Sequence, residues 1–76
     1  MTTFEKVREL INDVMHIEED KITLESNLFT DLGFGSIEAF ELVAAIEEEF
    51  GATVSDEDAE TLKTVKNIVD YIDSHK

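Results

Sequence analysis

The chain contains no cysteine, no proline and no tryptophan, and only three glycines, Gly33, Gly35 and Gly51. Without cysteine there is no disulfide, no thiolate zinc site and no thiol nucleophile. The want of disulfides fits a cytosolic protein. With no proline and so little glycine, no interdomain linker, repeat or low-complexity segment stands out. Basic residues are also scarce: six Lys and Arg stand against 19 Asp and Glu, a formal charge of −13. That balance argues against DNA and RNA backbones, which demand clustered Lys and Arg. It argues equally against anionic membrane surfaces. No apolar run approaches the ~20 residues that span a bilayer, so membrane insertion is not expected. The opening MTTFEKVREL mixes polar and apolar residues and carries acids early, unlike a secretory or organelle signal. A cytoplasmic location is the expectation.

What is present suffices for one small domain. The 76 residues are 42% apolar and include five Phe, enough for a core and too much for wholesale disorder. Residues 1–76 are therefore expected to form a single domain. A core below ~70–80 residues rarely contributes more than ~3–5 kcal/mol net, and repulsion among the excess negative charges subtracts from that.

The apolar spacing is helical throughout. A first helix is predicted over about Thr3 to Met15, with Phe4, Val7, Leu10, Ile11 and Val14 as its buried stripe. Thr2 followed by Glu5 fits a capping box. His16 to Gly35 has poor periodicity and reads as a long ordered loop with a short helical turn. A second helix runs from about Ser36 or Ile37 to Phe50, stopped by Gly51. Ser55 opens a short, acidic third helix, its acids placed at the positive end of the dipole. Thr64 caps a last helix from Val65 to Ser74, with Val65, Ile68, Val69 and Ile72 inward and Tyr71 beside them. The expected fold is all-α, a small four-helix bundle of three main helices and one short one, with a long loop between the first two.

The second helix has two apolar strips. At about 100° per residue from Ile37, Ala39, Leu42, Val43, Ile46 and Phe50 fall between about 140° and 240°. Ile37, Phe40 and Ala44 fall between about 300° and 0°. Glu41, Glu47 and Glu48 rim that second strip, as charge rims a docking surface. A wide core stripe with an ordinary solvated face would also fit these residues. The charge pattern favours docking: no basic residue occurs between Lys21 and Lys63, although a helix built for its own stability mixes signs at four-residue spacing. A basic partner surface accounts for that through steering and specificity.

Ser36 stands at the junction of the loop and the second helix. On composition alone it reads as a plain N-cap. A serine nucleophile would need an adjacent, oriented base, and the only histidines, His16 and His75, lie elsewhere in the chain. The run Gly33-Phe34-Gly35-Ser36 lacks the lysine and spacing of a phosphate-binding loop. Calcium loops starting at Asp31 or Asp56 lack the required glycine and glutamate. No metal site and no catalytic residue is expected.

The stretch from Asp31 through Leu32, Gly33, Phe34, Gly35 and Ser36, on through Glu41-Leu42-Val43 to Glu47-Glu48-Glu49-Phe50-Gly51, resembles the signature region of acyl carrier proteins. The likeness extends over nearly the whole chain, including the acidic short helix and the final Thr64-Val65…Tyr71-Ile72 helix. The resemblance implies that Ser36 bears 4′-phosphopantetheine, installed from coenzyme A by a phosphopantetheinyl transferase. It implies that the terminal thiol of that group carries acyl chains as thioesters between synthases in fatty-acid or polyketide biosynthesis. With the two faces of the second helix, this reading expects Glu38, Glu41, Glu47 and Glu48 to attract basic partner surfaces and Ile37, Phe40 and Ala44 to make the apolar contact. The resemblance further implies an acyl chain tucked between the helices, for which Leu42, Val43, Ile46, Phe50 and Ile68 are the candidates. A freestanding monomer that carries but does not catalyse is expected.

One departure is plain. The family usually has Asp-Ser-Leu where this chain has Gly35-Ser36-Ile37. In the family that Asp helps the transferase position its metal ion and basic residues. Its replacement implies a specialised carrier, with Glu38 as a partial substitute. Two alternatives stay open: a peptidyl or aminoacyl carrier with the same arm, and an acidic interaction module that is never modified.

Overall fold

The computed structural model describes residues 1–75. It holds four helices: α1 (Thr3–Met15), α2 (Ser36–Phe50), α3 (Asp56–Thr61) and α4 (Val65–Ser74). Short-range chemistry sets their ends. Thr2 accepts the Glu5 N–H and Glu5 accepts the Thr2 N–H, closing the capping box of α1. His16 ends that helix in the left-handed region at φ 58°, its N–H donated to the Asn12 carbonyl at 2.7 Å. Gly51 does the same for α2 at φ 65°, where a side chain would be strained. Ser55 caps α3 through the Asp58 N–H, and Thr64 caps α4 through the Asn67 N–H.

α1 packs against both α2 and α4. Val7 and Ile11 meet Leu42 and Ile46 of α2 and Val65, Ile68 and Ile72 of α4 in one core cluster. α3 contributes no buried residue of its own; Val54 and Leu62 on either side of it do the burying. It is tied to α4 by Tyr71, whose hydroxyl donates to Asp58 Oδ2 at 2.9 Å.

The long loop is ordered, as its apolar content requires. Ile22, Leu28, Leu32 and Phe34 are all buried in the core, and Glu19–Lys21 form one turn of 3₁₀ helix. The segment also pairs with the link between α3 and α4. Asn27 and Thr64 form an isolated antiparallel bridge, Leu28 N–H donates to the Lys63 carbonyl at 2.8 Å, and Val65 N–H donates to Ser26 at 3.1 Å. The Asn27 side chain accepts the Phe29 and Thr30 N–H groups while Asp31 accepts the Asn27 N–H. Thr3 at the start of α1 bonds Asp73 at the end of α4, and Lys6 lies over Phe50 at the end of α2, so α2 and α4 start at the same end of the bundle, and these bonds hold the loop before α2 against the start of α4. Among the described residues, no helix is long and apolar enough to cross a membrane.

Candidate functional site

Ser36 is not the cap of α2. Gly35 takes that position, in extended backbone, and Ser36 is the first helical residue. Glycine has no side chain to complete a capping box, so only the return half exists: Glu38 Oε1 accepts the Gly35 N–H at 2.9 Å. The Ser36 hydroxyl makes no hydrogen bond to the described residues and is exposed. It stands at a helix N-terminus, where unpaired N–H groups and the positive dipole end favour a phosphate.

An open groove of about 500 Å³ begins at this serine. Its floor runs along α2 through Ala39, Phe40, Val43 and Glu47. Phe29 also lines it, and Val54, Asp56, Ala59 and Glu60 form the α3 side. The lining is mainly apolar, with carboxylates at the rim. An exposed, unbonded hydroxyl at the mouth of an apolar groove fits a phosphodiester-linked arm with an organic load.

The acyl-pocket candidates divide. Of Leu42, Val43, Ile46, Phe50 and Ile68, only Val43 lines the groove. Leu42, Ile46 and Ile68 are each 1% exposed, consumed by packing with α1 and α4. Phe50 lies at the other end of α2, with Lys6 5.8 Å from its ring centroid. The core occupies the face those residues share, and the groove lies one step round the helix. Phe29, Ala39, Val54 and Ala59 line the groove without having been singled out for it; only Ala39 carried a sequence signal, three residues on from Ser36 on the same side of the helix.

The docking candidates also divide. Ile37 is 72% exposed and Phe40 75%, and Glu41, Ala44 and Glu48 are exposed beside them. Phe40 is therefore not the edge of a wide core stripe. Glu47 is already engaged, its Oε2 accepting the Val54 N–H at 2.8 Å and fixing the α2–α3 link. Glu38 is half-buried over Gly35. Neither α2 nor α3 contains a basic residue, and the charged side chains lining the groove, Glu47, Asp56 and Glu60, are all acidic. Among the described residues, no group of three His, Cys, Asp or Glu side chains could hold a metal ion.

Comparison with known proteins gives the class: a carrier domain of the phosphopantetheine-bearing kind. Residues 5–72 match the family described as the phosphopantetheine attachment site. The acyl carrier protein of Clostridium perfringens is 46% identical over 72 residues, 95% of each chain. The solved acyl carrier protein of Enterococcus faecalis is 42% identical with a TM-score of 0.83, each chain covered in full. A solved acyl carrier protein structure from Mycobacterium tuberculosis superposes with a TM-score of 0.92 at 28% identity, over 99% of this chain and 100% of the other. The chain belongs to the acyl carrier protein family, whose prosthetic group is 4′-phosphopantetheine.

Proposed function

We propose that Ser36 is the attachment residue and that the chain is a freestanding, monomeric, cytoplasmic carrier of acyl groups in fatty-acid or polyketide biosynthesis. One observation carries this reading: the Ser36 hydroxyl is exposed and unbonded at the mouth of an apolar groove. A serine serving as a helix cap would have its oxygen occupied by a backbone N–H. Here Glu38 takes the capping role.

In the modification, Ser36 Oγ attacks the phosphorus that bears the pantetheine chain of coenzyme A. A bond forms between Oγ and phosphorus, and the bond from phosphorus to the bridging oxygen breaks. That oxygen leaves with its electron pair as adenosine 3′,5′-bisphosphate, and the hydroxyl proton passes to the transferase or solvent. When bound, the arm supplies a thiol that holds the acyl group as a thioester. The chain itself performs no catalysis. The α2 terminus would hold the phosphodiester, and Phe29, Phe40, Val43 and Val54 would shield an apolar load from water. Ile37, Phe40 and Ala44 make the apolar contact with partners, while Glu41 and Glu48 attract their basic surfaces. Residues 1–76 act as one carrier domain.

The test is intact mass after incubation with coenzyme A and a phosphopantetheinyl transferase. The wild type should gain one phosphopantetheine increment, mapped to Ser36 by fragmentation, and Ser36→Ala should gain none. An increment on another residue, or none on the wild type, would refute the assignment.

A further inference from the structure

The loop before α2 buries Ile22, Leu28, Leu32 and Phe34, yet Phe29 keeps 43% of its surface in solvent. Its backbone is nonetheless tied down. The Asn27 side chain accepts the Phe29 and Thr30 N–H groups at 2.9 and 3.0 Å, forming an Asx turn. Asp31 accepts the Asn27 N–H at 2.8 Å. Leu28, the residue before, donates its N–H to the Lys63 carbonyl and accepts the Phe34 N–H at 2.9 Å. That last bond joins the neighbour of Phe29 to the residue two before Ser36, and Phe29 and Ser36 line the same groove. A phenyl ring is thus presented from a fixed backbone close to the attachment serine.

We infer that Phe29 is a positioning residue for the prosthetic arm itself, its ring receiving the dimethyl-bearing carbons that follow the phosphate. The inference rests on attachment at Ser36. In 4′-phosphopantetheine the phosphate leads into a short apolar segment with two methyl groups on one carbon, then into a hydroxyl and two amides. The dimethyl segment gains by leaving water with no hydrogen bond to replace, whereas the hydroxyl and amides do not. It is also the part of the arm bonded nearest to Ser36, which is where the structure places the ring. A tether held only at Ser36 is free to sweep around it; a second contact on Phe29 gives it a direction along the groove. That contact removes in advance some of the freedom the arm loses when a partner receives it. Val43, about 10 Å further along α2 from Ser36, and Val54 are left for the load. Phe40, far more exposed than Phe29, is left for partners.

The experiment is NMR of the protein bearing an isotope-labelled arm with no load and no partner, for wild type, Phe29→Leu and Phe29→Ala, each checked by intact mass and thermal melt. In the wild type the methyl protons of the arm should give cross-peaks to the Phe29 ring. They should also resonate upfield of their positions in free pantetheine, because they lie over an aromatic face. Phe29→Leu should keep cross-peaks between the arm and residue 29 but lose the upfield displacement. Phe29→Ala, at a position this exposed, should melt close to wild type. Its docked population should fall about fourfold for each methyl group uncovered, which returns the methyl signals most of the way to those of free pantetheine. Wild-type methyl signals at the free positions, with no cross-peak to Phe29, would overturn the inference while leaving Ser36 as the attachment residue. Upfield signals that persist in Phe29→Ala would overturn it as well. A wild type that accepts no arm at Ser36 would overturn both readings.

Discussion

Two substitutions on α2, six residues apart, should give opposite signatures: Phe40→Ala and Ile46→Val. Phe40 keeps 75% of its surface in solvent. A Phe side chain can bury about 150–250 Å², so about 110–190 Å² awaits a partner. At ~25 cal/mol per Å² this sets a ceiling of about 3–5 kcal/mol. Binding realises only part of it, because ordering and imperfect desolvation oppose it. Truncation to alanine should therefore weaken binding to the transferase or a synthase by about 1–2 kcal/mol, roughly 5- to 30-fold in Kd. Stability should change by no more than about 0.5 kcal/mol, as for other exposed positions.

Ile46, 1% exposed, lies in the core with α1 and α4. Removing one methyl group there should reduce stability by about 0.5–1.5 kcal/mol. In a domain this small each kcal/mol lowers the melting temperature by about 4–8 °C. Affinity measured below the transition should be unchanged. Calorimetric titration against a transferase, paired with thermal melts, reads both quantities. A Phe40→Ala variant that melts several degrees low, or binds as tightly as wild type, would refute the assignment of that ring to a partner rather than to the fold.

The exposed Glu41 and Glu48 should behave as steering charges: the double reversal to Lys is expected to weaken binding and reduce its salt dependence, and unchanged titrations would remove them from the interface. Tyr71 offers a test by pH. Loss of hydration, then the hydrogen bond to Asp58, then the negative charges of Asp58 and Glu47 push its phenol above the ordinary value. Folding thus favours the neutral phenol; its contribution is complete below the unfolded value of about 10 and is lost as pH rises through the folded value. Tyr71 is the sole tyrosine, so phenolate absorbance follows it alone. The native midpoint should exceed that in urea and move down in Asp58→Asn. Above the unfolded value, the wild-type melting temperature should fall faster with pH than that of Tyr71→Phe; parallel curves would exclude the tie between α3 and α4.

The helices were legible in the sequence because their signals are short-range. Thr2 with Glu5, Ser55 with Asp58 and Thr64 with Asn67 lie three residues apart and form the bonds seen. The pairing of Asn27 with Thr64 was not legible. It joins two irregular segments far apart in the chain, and neither shows strand alternation. The capping of α2 lay between these cases. Serine is a strong N-cap, so local preference placed the start of the helix on Ser36. A glutamate three residues after Gly35 shifts the cap back by one, and only the bond from the Gly35 N–H to Glu38 shows that this alternative prevails. That one-residue shift leaves the Ser36 hydroxyl exposed and without a backbone N–H to accept.

The groove was missed for a geometric reason that also explains how so short a helix serves two purposes. On the wheel that puts Ile37 at 0°, the fully buried Leu42 and Ile46 sit at about 140° and 180°. Ser36, Val43 and Glu47 sit at about 260°, 240° and 280°, between the core strip and the exposed strip of Ile37 and Ala44. A reading in two faces, core and surface, assigns that intermediate sector to one or the other. The structure gives it to neither, because α3 stands off from α2 and buries no residue of its own. The resulting groove exists because the third helix is too short and too acidic to close it. Its hold on the bundle through Val54, Leu62 and the Tyr71–Asp58 bond leaves the space beside Ser36 open. Filling α3 with larger apolar residues would stabilise the bundle and close the groove that Ser36 lines. A low margin of stability at α3 is thus a condition of the carrier function, not a defect of a small core.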